Sequence, residues 1–270
     1  MGKYKIIPVF VPHKGCPNQC SFCNQRHITG QITETTPKMA EQTIKQYLKT
    51  IDTAKFHTEI AFYGGSFTAI DIDYQTELLK VAYKYVKSGD INGIRLSTRP
   101  DAIDDIILDN LEKYGVTEIE LGVQSMCDDV LGLNKRGHTS KQVEDAVFLI
   151  RKRNFYLGLQ MMTGLIGDTY EKSVYTANRI CELKPDFVRI YPTLVFNNTD
   201  LADLYRKGEY KPMTLEETVK LCKELLDIFE NRNGIKVIRM GLFMNDKEAK
   251  ENFIAGPYHP RFRELVQDCD

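Results

Sequence analysis

Apolar, β-branched runs alternate with segments of helical period along the whole chain. Residues 6–11, 57–63, 93–98, 117–123, 156–163 and 187–192 have the length and composition of strands. Between them lie helix-period segments. Ile44, Tyr47, Leu48 and Ile51 recur at i, i+3, i+4 and i+7 behind Thr36-Pro37, an N-cap and first-turn pair. Leu78, Val81, Ala82 and Tyr85 repeat the spacing, and residues 103–114 form a helix closed by Gly115. Ser140 opens another, with Val143, Ala146, Val147 and Ile150 on one face, and Val174, Ala177 and Cys181 mark the next. Thr214 and Glu217 predict a capping box. The helix behind it carries Leu215, Val219, Cys222, Leu226 and Phe229 on one stripe. Residues 235–242 read as one more strand, and a last helix starts near Pro260.

Strict βα alternation implies an α/β fold with a parallel sheet, and strands this apolar are buried on both faces. Right-handed crossovers repeated six times curl such a sheet into a partial (βα)6 TIM-like barrel. Residues 1–232 are expected to form that barrel. Residues 233–270 are expected to form a short α/β extension packed on it, not an independent domain. In this architecture the active site lies at the carboxyl ends of the strands. Polar or glycine-rich residues crowd that rim: three cysteines after the first strand, Gly64-Gly65-Ser66 after the second, Ser97-Thr98-Arg99 after the third. Gln124-Ser125 follows the fourth, Gln160 begins the end of the fifth, and Arg189 to Thr193 closes the sixth.

Composition removes several function classes. Across 270 residues, Lys+Arg 36 balances Asp+Glu 37, so no strongly basic tail exists to grip nucleic acid non-specifically. No window reaches the roughly 18 apolar residues that a membrane helix needs. The opening apolar run is too short for a signal peptide and Pro8 interrupts it; Ile6 rules out a myristoylation motif at Gly2. Seven cysteines are an odd number, and Cys127, Cys181, Cys222 and Cys269 are scattered singly, unlike a secreted disulfide framework. A cytoplasmic location with no membrane partner is expected. Cys127, Cys181 and Cys222 read as small buried hydrophobes.

The remaining three, in Gly15-Cys-Pro-Asn-Gln-Cys-Ser-Phe-Cys-Asn24, are crowded at spacings of three and then two intervening residues. Cys16, Cys20 and Cys23 suit a cubane cluster in which each thiolate holds one iron and the fourth iron stays open. A structural zinc site, with His13 or His27 as fourth ligand, is the competing reading, although zinc cysteines more often come as two separated couples. Met161 and Met162 are adjacent and face opposite sides of their strand, so core filling is expected for them. His138 and His259 have no evident partner.

The spacing Cys16-x-x-x-Cys20-x-x-Cys23, with Phe22 before the last cysteine, resembles the signature of the radical S-adenosylmethionine (SAM) superfamily, and later strand ends match in order over residues 6 to about 200. The resemblance implies a 4Fe–4S cluster whose open iron chelates the methionine moiety of SAM. Reductive cleavage then yields methionine and a 5′-deoxyadenosyl radical, which abstracts hydrogen from the substrate. Gly64-Gly65-Ser66 resembles the glycine-glycine-acid motif at the methionine amine, with Ser66 in place of the acid. Phe22 is implied near the adenine and Ser97 at the ribose. Gln124 and Arg136 match a further pair, the arginine set against the methionine carboxylate, a task suited to a bidentate guanidinium. Gln160 stands where related porphyrin enzymes place an acid near the ribose.

The phrases Ser97-Thr-Arg-Pro-Asp101 and Asn134-Lys-Arg-Gly-His-Thr139 are most similar to the radical domain of the Elongator catalytic subunit and its stand-alone bacterial relatives. Coproporphyrinogen dehydrogenase is a more distant relation, because Ser97 and Gln160 both replace its acids. The resemblance implies a flavodoxin- or ferredoxin-type electron donor and admits an RNA substrate, a tRNA in the Elongator branch. Lys14, Arg26, Lys135, Arg136 and Arg189 are the basic residues placed to meet phosphates. No segment corresponds to the acetyltransferase domain of that subunit, so the acetyl-CoA half of its reaction is not carried over. Arg189 and Tyr191 end the sixth strand where substrate contact is expected. Two alternatives stay open: non-catalytic electron transfer or redox sensing, and porphyrin-type oxidation.

Overall fold

The computed structural model describes residues 4–11, 16, 20–23, 35–244 and 251–269. The chain divides into two compact units. One comprises Met1–Pro17, Gln25–Leu121 and Asp145–Leu157, the other Asn18–Asn24, Gly122–Glu144 and Gly158–Asp270.

In the first unit, β1 (Tyr4–Phe10), β2 (His57–Tyr63), β3 (Gly93–Thr98) and the start of β4 (Val116–Gln124) pair parallel in chain order. The connecting helices are α1 (Pro37–Leu48), α2 (Ile72–Lys87) and α3 (Asp105–Lys113). Ile7, Ile60, Ile94 and Ile119 of the strands are fully buried, as are Ile44, Leu78, Leu79, Leu108 and Leu111 of the helices. Each such side chain is worth about 1.5–3 kcal/mol relative to exposure, which is why these periodic positions decide the packing. Thr36 caps α1 by accepting from the Met39 amide. Tyr47 is largely exposed although its spacing put it with Ile44, because the buried stripe of α1 runs through Ala40 and Ile44 instead. α3 starts two residues later than its periodicity suggests, since Asp104 accepts from the Ile107 amide and Pro100–Ala102 is already a 3-10 turn.

The second unit holds the end of β4, then α4 (Asp128–Leu133), most of β5 (Tyr156–Thr163), α6 (Tyr170–Glu182) and β6 (Phe187–Pro192), while α5 (Ser140–Arg151), which precedes β5 in the chain, has its residues divided between the two units. β7 (Val195–Phe196) and α7 (Asp200–Lys207) follow, then α8 (Leu215–Leu226), β8 (Lys236–Met240), β9 (Phe253–Ala255) and α9 (Phe262–Asp268). β5 pairs parallel with β6, and β6 with β8, so these strands run β5-β6-β8 in the second unit. The strand expected in the extension joins the sheet because Val237 and Met240 bury beside Val188 and Ile190 and its amides complete the β6 ladder.

Four short elements carry no sequence period long enough to read: α4, the antiparallel strands β7 and β9, and α7. α7 is nonetheless locally encoded. Thr199 accepts from the Ala202 amide at its start, and Gly208 ends it at φ +75. The capping box of α8 has both halves in place, Thr214 and Glu217 each bonding the other's backbone. Among the described residues no helix is long and apolar enough to cross a membrane.

Candidate active site

In the first unit the strand ends are tied into one rim. The amide of Val11, just past β1, donates to the Tyr63 carbonyl at the end of β2 at 2.7 Å. The next residue, Gly64, has φ +100, which L side chains rarely adopt, and it passes within van der Waals range of Val11. Glycine is required here by backbone conformation more than by space. Ser66 is buried, and its Oγ lies 3.2 Å from the sulfur of Cys16. The segment behind it is pinned from two sides. Thr68 bonds Thr98 of β3 at 2.6 Å through their hydroxyls, and Gln75 of α2 donates to the carbonyls of Thr68 and Ile70. Gly65 and Ser66 line a narrow recess with Val11, Phe62, Tyr63 and Phe67. Ser97 is half-buried in β3, opposite Glu120 of β4 in register.

In the second unit, β4 ends at Gln124, which has φ +68. A left-handed backbone is unusual for glutamine and costs about 1–2 kcal/mol. Its side chain is buried, and Oε1 has no hydrogen-bond partner among the described residues. A strained residue presenting an unsatisfied amide oxygen is the kind of arrangement that ligands complete. Arg136 is buried in the turn after α4; its Nη1 donates to the Cys20 sulfur at 3.3 Å and its Nη2 to the Gly122 carbonyl at 2.6 Å. The Cys23 amide donates to the Cys20 carbonyl at 3.0 Å, so these two cysteines close one tight turn. Phe22, expected near an adenine, is half-buried and packs on the apolar cluster of Val195, Leu201, Ala202 and Tyr210.

Gln160 and Met162 of β5 are half-buried and lie opposite Arg189 and Tyr191 of β6, while Met161 is buried on the other side. The Arg189 guanidinium donates to the Tyr191 hydroxyl at 3.3 Å. Of the basic residues expected to meet phosphates, Lys14 and Arg26 lie outside the described residues, as do His13 and His27. Lys135 is exposed and paired with Asp200. Two histidines read as partnerless have partners. His138 is buried with Nε2 at 3.2 Å from the Val123 carbonyl, and His259 accepts from the Arg261 amide. Cys181 and Cys222 are buried, as expected of small hydrophobes, whereas Cys127 is only half-buried; desolvation raises all three thiols, that of Cys181 to about 11 and that of Cys222 further still.

Sequence reasoning missed two polar networks. Arg95 of β3 is buried between Glu59 and Glu118, in an ion pair of 2.9 Å with the latter. Asn134 joins Ser21. The signal for the first was a charge inside each of three apolar strands. For the second there was none beyond Asn134 beginning a motif.

The sequence model of the Radical SAM superfamily matches residues 10–180, and that of the Radical_SAM C-terminal domain matches residues 185–269. The chain belongs to the radical SAM superfamily. Radical SAM enzymes generally bind a 4Fe–4S cluster and SAM. Among curated relatives, the tRNA uridine(34) acetyltransferase of Methanocaldococcus jannaschii is 30% identical over 183 residues, 60% of this chain and 34% of that protein. The protein of the same name from Dehalococcoides mccartyi is 29% identical over 242 residues, 77% and 53% respectively. Human Elongator complex protein 3 is 28% identical over 201 residues, 67% and 37%. The chain thus spans about a third to a half of the length of these relatives. The solved archaeal Elp3 of Methanocaldococcus infernus matches 99% of this chain and 62% of its own, with TM-score 0.77 and 22% identity. Coproporphyrinogen III oxidase of Escherichia coli matches 86% and 54%, with TM-score 0.62 and 18% identity. These similarities show the expected fold, an α/β partial TIM-like barrel, for this radical SAM enzyme.

Proposed function

We propose that the protein binds a 4Fe–4S cluster through Cys16, Cys20 and Cys23 and binds SAM beside it, acting on a tRNA uridine. The residues present fit that cofactor pair. Three thiols are the donor set such a cluster takes, and the buried, unpartnered Oε1 of Gln124 is a polar atom waiting for a donor. The second of these observations carries the reading, because a buried, left-handed glutamine with an orphan oxygen at a strand end is an arrangement that a bound ligand would complete.

When bound, the cluster and SAM supply reductive cleavage to methionine and a 5′-deoxyadenosyl radical. The chain's own residues bind and orient. Gly64 and Gly65 bring bare backbone to the rim for the methionine amine, with Ser66 behind them at Cys16. Gln124 supplies an amide acceptor, and Arg136 supplies a fixed guanidinium for a carboxylate while already holding the Cys20 sulfur. Ser97 and Gln160 are assigned to the ribose, and Phe22 to the adenine side. Arg189 and Tyr191 are assigned to substrate. The tRNA assignment rests on the relatives named tRNA uridine(34) acetyltransferase, and an external flavodoxin- or ferredoxin-type donor would supply the electron in the cytoplasm.

The test is anaerobic reconstitution followed by dithionite and SAM, with 5′-deoxyadenosine measured in the presence and absence of tRNA. Formation of 5′-deoxyadenosine by the reconstituted chain, and its loss with the iron in Cys20→Ala, is expected. A protein holding four irons that makes none would refute the enzymatic reading. Failure to bind tRNA at low salt would refute the substrate.

A further inference from the structure

The peptide between Cys20 and Cys23 is held on every polar atom of its first residue. Ser21 is buried, its amide donates to the Asn134 carbonyl at 3.1 Å, and its hydroxyl donates to Asn134 Oδ1 at 2.8 Å. Its own carbonyl accepts from the Leu201 amide in the first turn of α7 at 2.8 Å. Asn134 in turn is fully buried and fully used. Oδ1 also accepts from the Ile166 amide at 3.2 Å, and Nδ2 donates to the Val130 and Ile166 carbonyls at 2.8 and 2.9 Å. Four side-chain bonds to three segments leave this amide one orientation. Aspartate lacks the two donors, and alanine strands the Ser21 hydroxyl and the amide and carbonyl of Ile166, while the Val130 carbonyl keeps its bond from the backbone amide of residue 134.

The same turn reaches the cysteine loop twice. Two residues beyond Asn134, the Arg136 guanidinium meets the Cys20 sulfur. Next to Ser21, Phe22 inserts among Val195, Leu201, Ala202 and Tyr210. Loops at strand ends are ordinarily mobile, yet here a buried amide, a helix N–H and an aromatic seat fix a short peptide that carries two sulfurs. No packing demand explains that density of bonding on one serine.

We propose that Asn134 and Ser21 are positioning residues for the cluster, fixing the directions of the Cys20 and Cys23 sulfurs before metal arrives. The inference rests on the reading that these cysteines hold iron. Outer-shell partners of metal ligands commonly cost 10–100-fold in metal affinity when removed, and that range sets the expectation.

Wild type, Ser21→Ala and Asn134→Ala are reconstituted anaerobically and checked for folding by circular dichroism. Iron loss to a chelator and the electron paramagnetic resonance spectrum of the reduced cluster are then recorded. Thr218→Ala is the control, because it removes another buried hydroxyl, bonded to the Thr214 carbonyl at 2.7 Å and remote in sequence from the cysteines. Ser21→Ala should lose iron about tenfold faster with a shifted spectrum, Asn134→Ala faster still, and the control neither. Where Asn134→Ala does not fold, Ser21→Ala decides. Iron loss and spectrum unchanged from wild type in folded Ser21→Ala overturn the proposal. A wild type that takes up no cluster overturns instead the reading it rests on.

Discussion

Replacing Gln124 by glycine should stabilise the ligand-free protein while weakening its hold on SAM. Gln124 sits at φ +68, where a glutamine backbone costs about 1–2 kcal/mol more than glycine. Its buried Oε1 lacks a partner, an additional burden of about 1–3 kcal/mol that removal of the side chain relieves. Against these stand the greater freedom of glycine in the unfolded chain, about 0.4–1 kcal/mol, and the lost burial of two methylenes at about 0.8 kcal/mol each. The balance is a net gain of about 1 kcal/mol, which for a chain of this size raises the melting temperature by about 2–4 °C. Gln124→Ala separates the contributions. It removes the orphan oxygen but keeps the strained backbone, so it should lie about 1 kcal/mol below Gln124→Gly. Differential scanning calorimetry of both variants without ligand measures this, and titration calorimetry with SAM on the reconstituted proteins measures the functional cost. Affinity for SAM should fall at least about tenfold in both, the worth of a lost hydrogen bond at about 1.4 kcal/mol. A glycine variant no more stable than the alanine variant would refute stored backbone strain. Unchanged SAM affinity in both would refute the placement of the amide at the ligand.

Two further outcomes follow from the buried charges. Arg95→Met leaves Glu59 and Glu118 without their buried guanidinium, with only the half-buried His57 ring 3.0 Å from Glu59, and should cost about 3–5 kcal/mol near neutral pH. In that variant the stranded carboxyls prefer the proton, so their folded pKa values rise. The stability of the protonated form is then present at low pH and lost as pH rises, and the gap to wild type should narrow toward pH 5. Urea denaturation across pH 5–8 tests this, and a pH-independent gap speaks against it. Asp168 accepts from the Gly164 amide and the Ser173 hydroxyl, yet desolvation dominates and holds its carboxyl above the ordinary range. Its stabilising protonated form is lost as pH rises through that raised value. Asp168→Asn keeps both acceptor roles without the charge, so its melting temperature should gain on wild type between pH 4 and pH 7. A variant that is less stable by the same margin at every pH would show that the carboxylate itself is needed.

How much was legible in the chain depends on range. The strands at 57–63, 93–98, 156–163 and 187–192 fall at the expected residues, because burial on both faces leaves a continuous apolar run that needs no partner to be recognised. The capping box of α8 was equally plain, since its partners lie three residues apart. β7, α7 and β9 were not: a two-residue strand has no period, and its pairing partner lies more than fifty residues on.

The site divides along the same line. The sequence by itself determined the cysteine triplet, the Gly64-Gly65 turn, and Gln124 and Arg136 as residues of interest, because spacing and residue type survive without coordinates. Only the tertiary structure decided that Gln124 is left-handed with an orphan oxygen, that Arg136 holds the Cys20 sulfur, and that Phe22 packs on α7. The clamp of Asn134 on Ser21 crosses 113 positions of chain. Backbone conformation and hydrogen-bond pairing at that separation are set by where the strands end relative to one another, and no local pattern of residues encodes that.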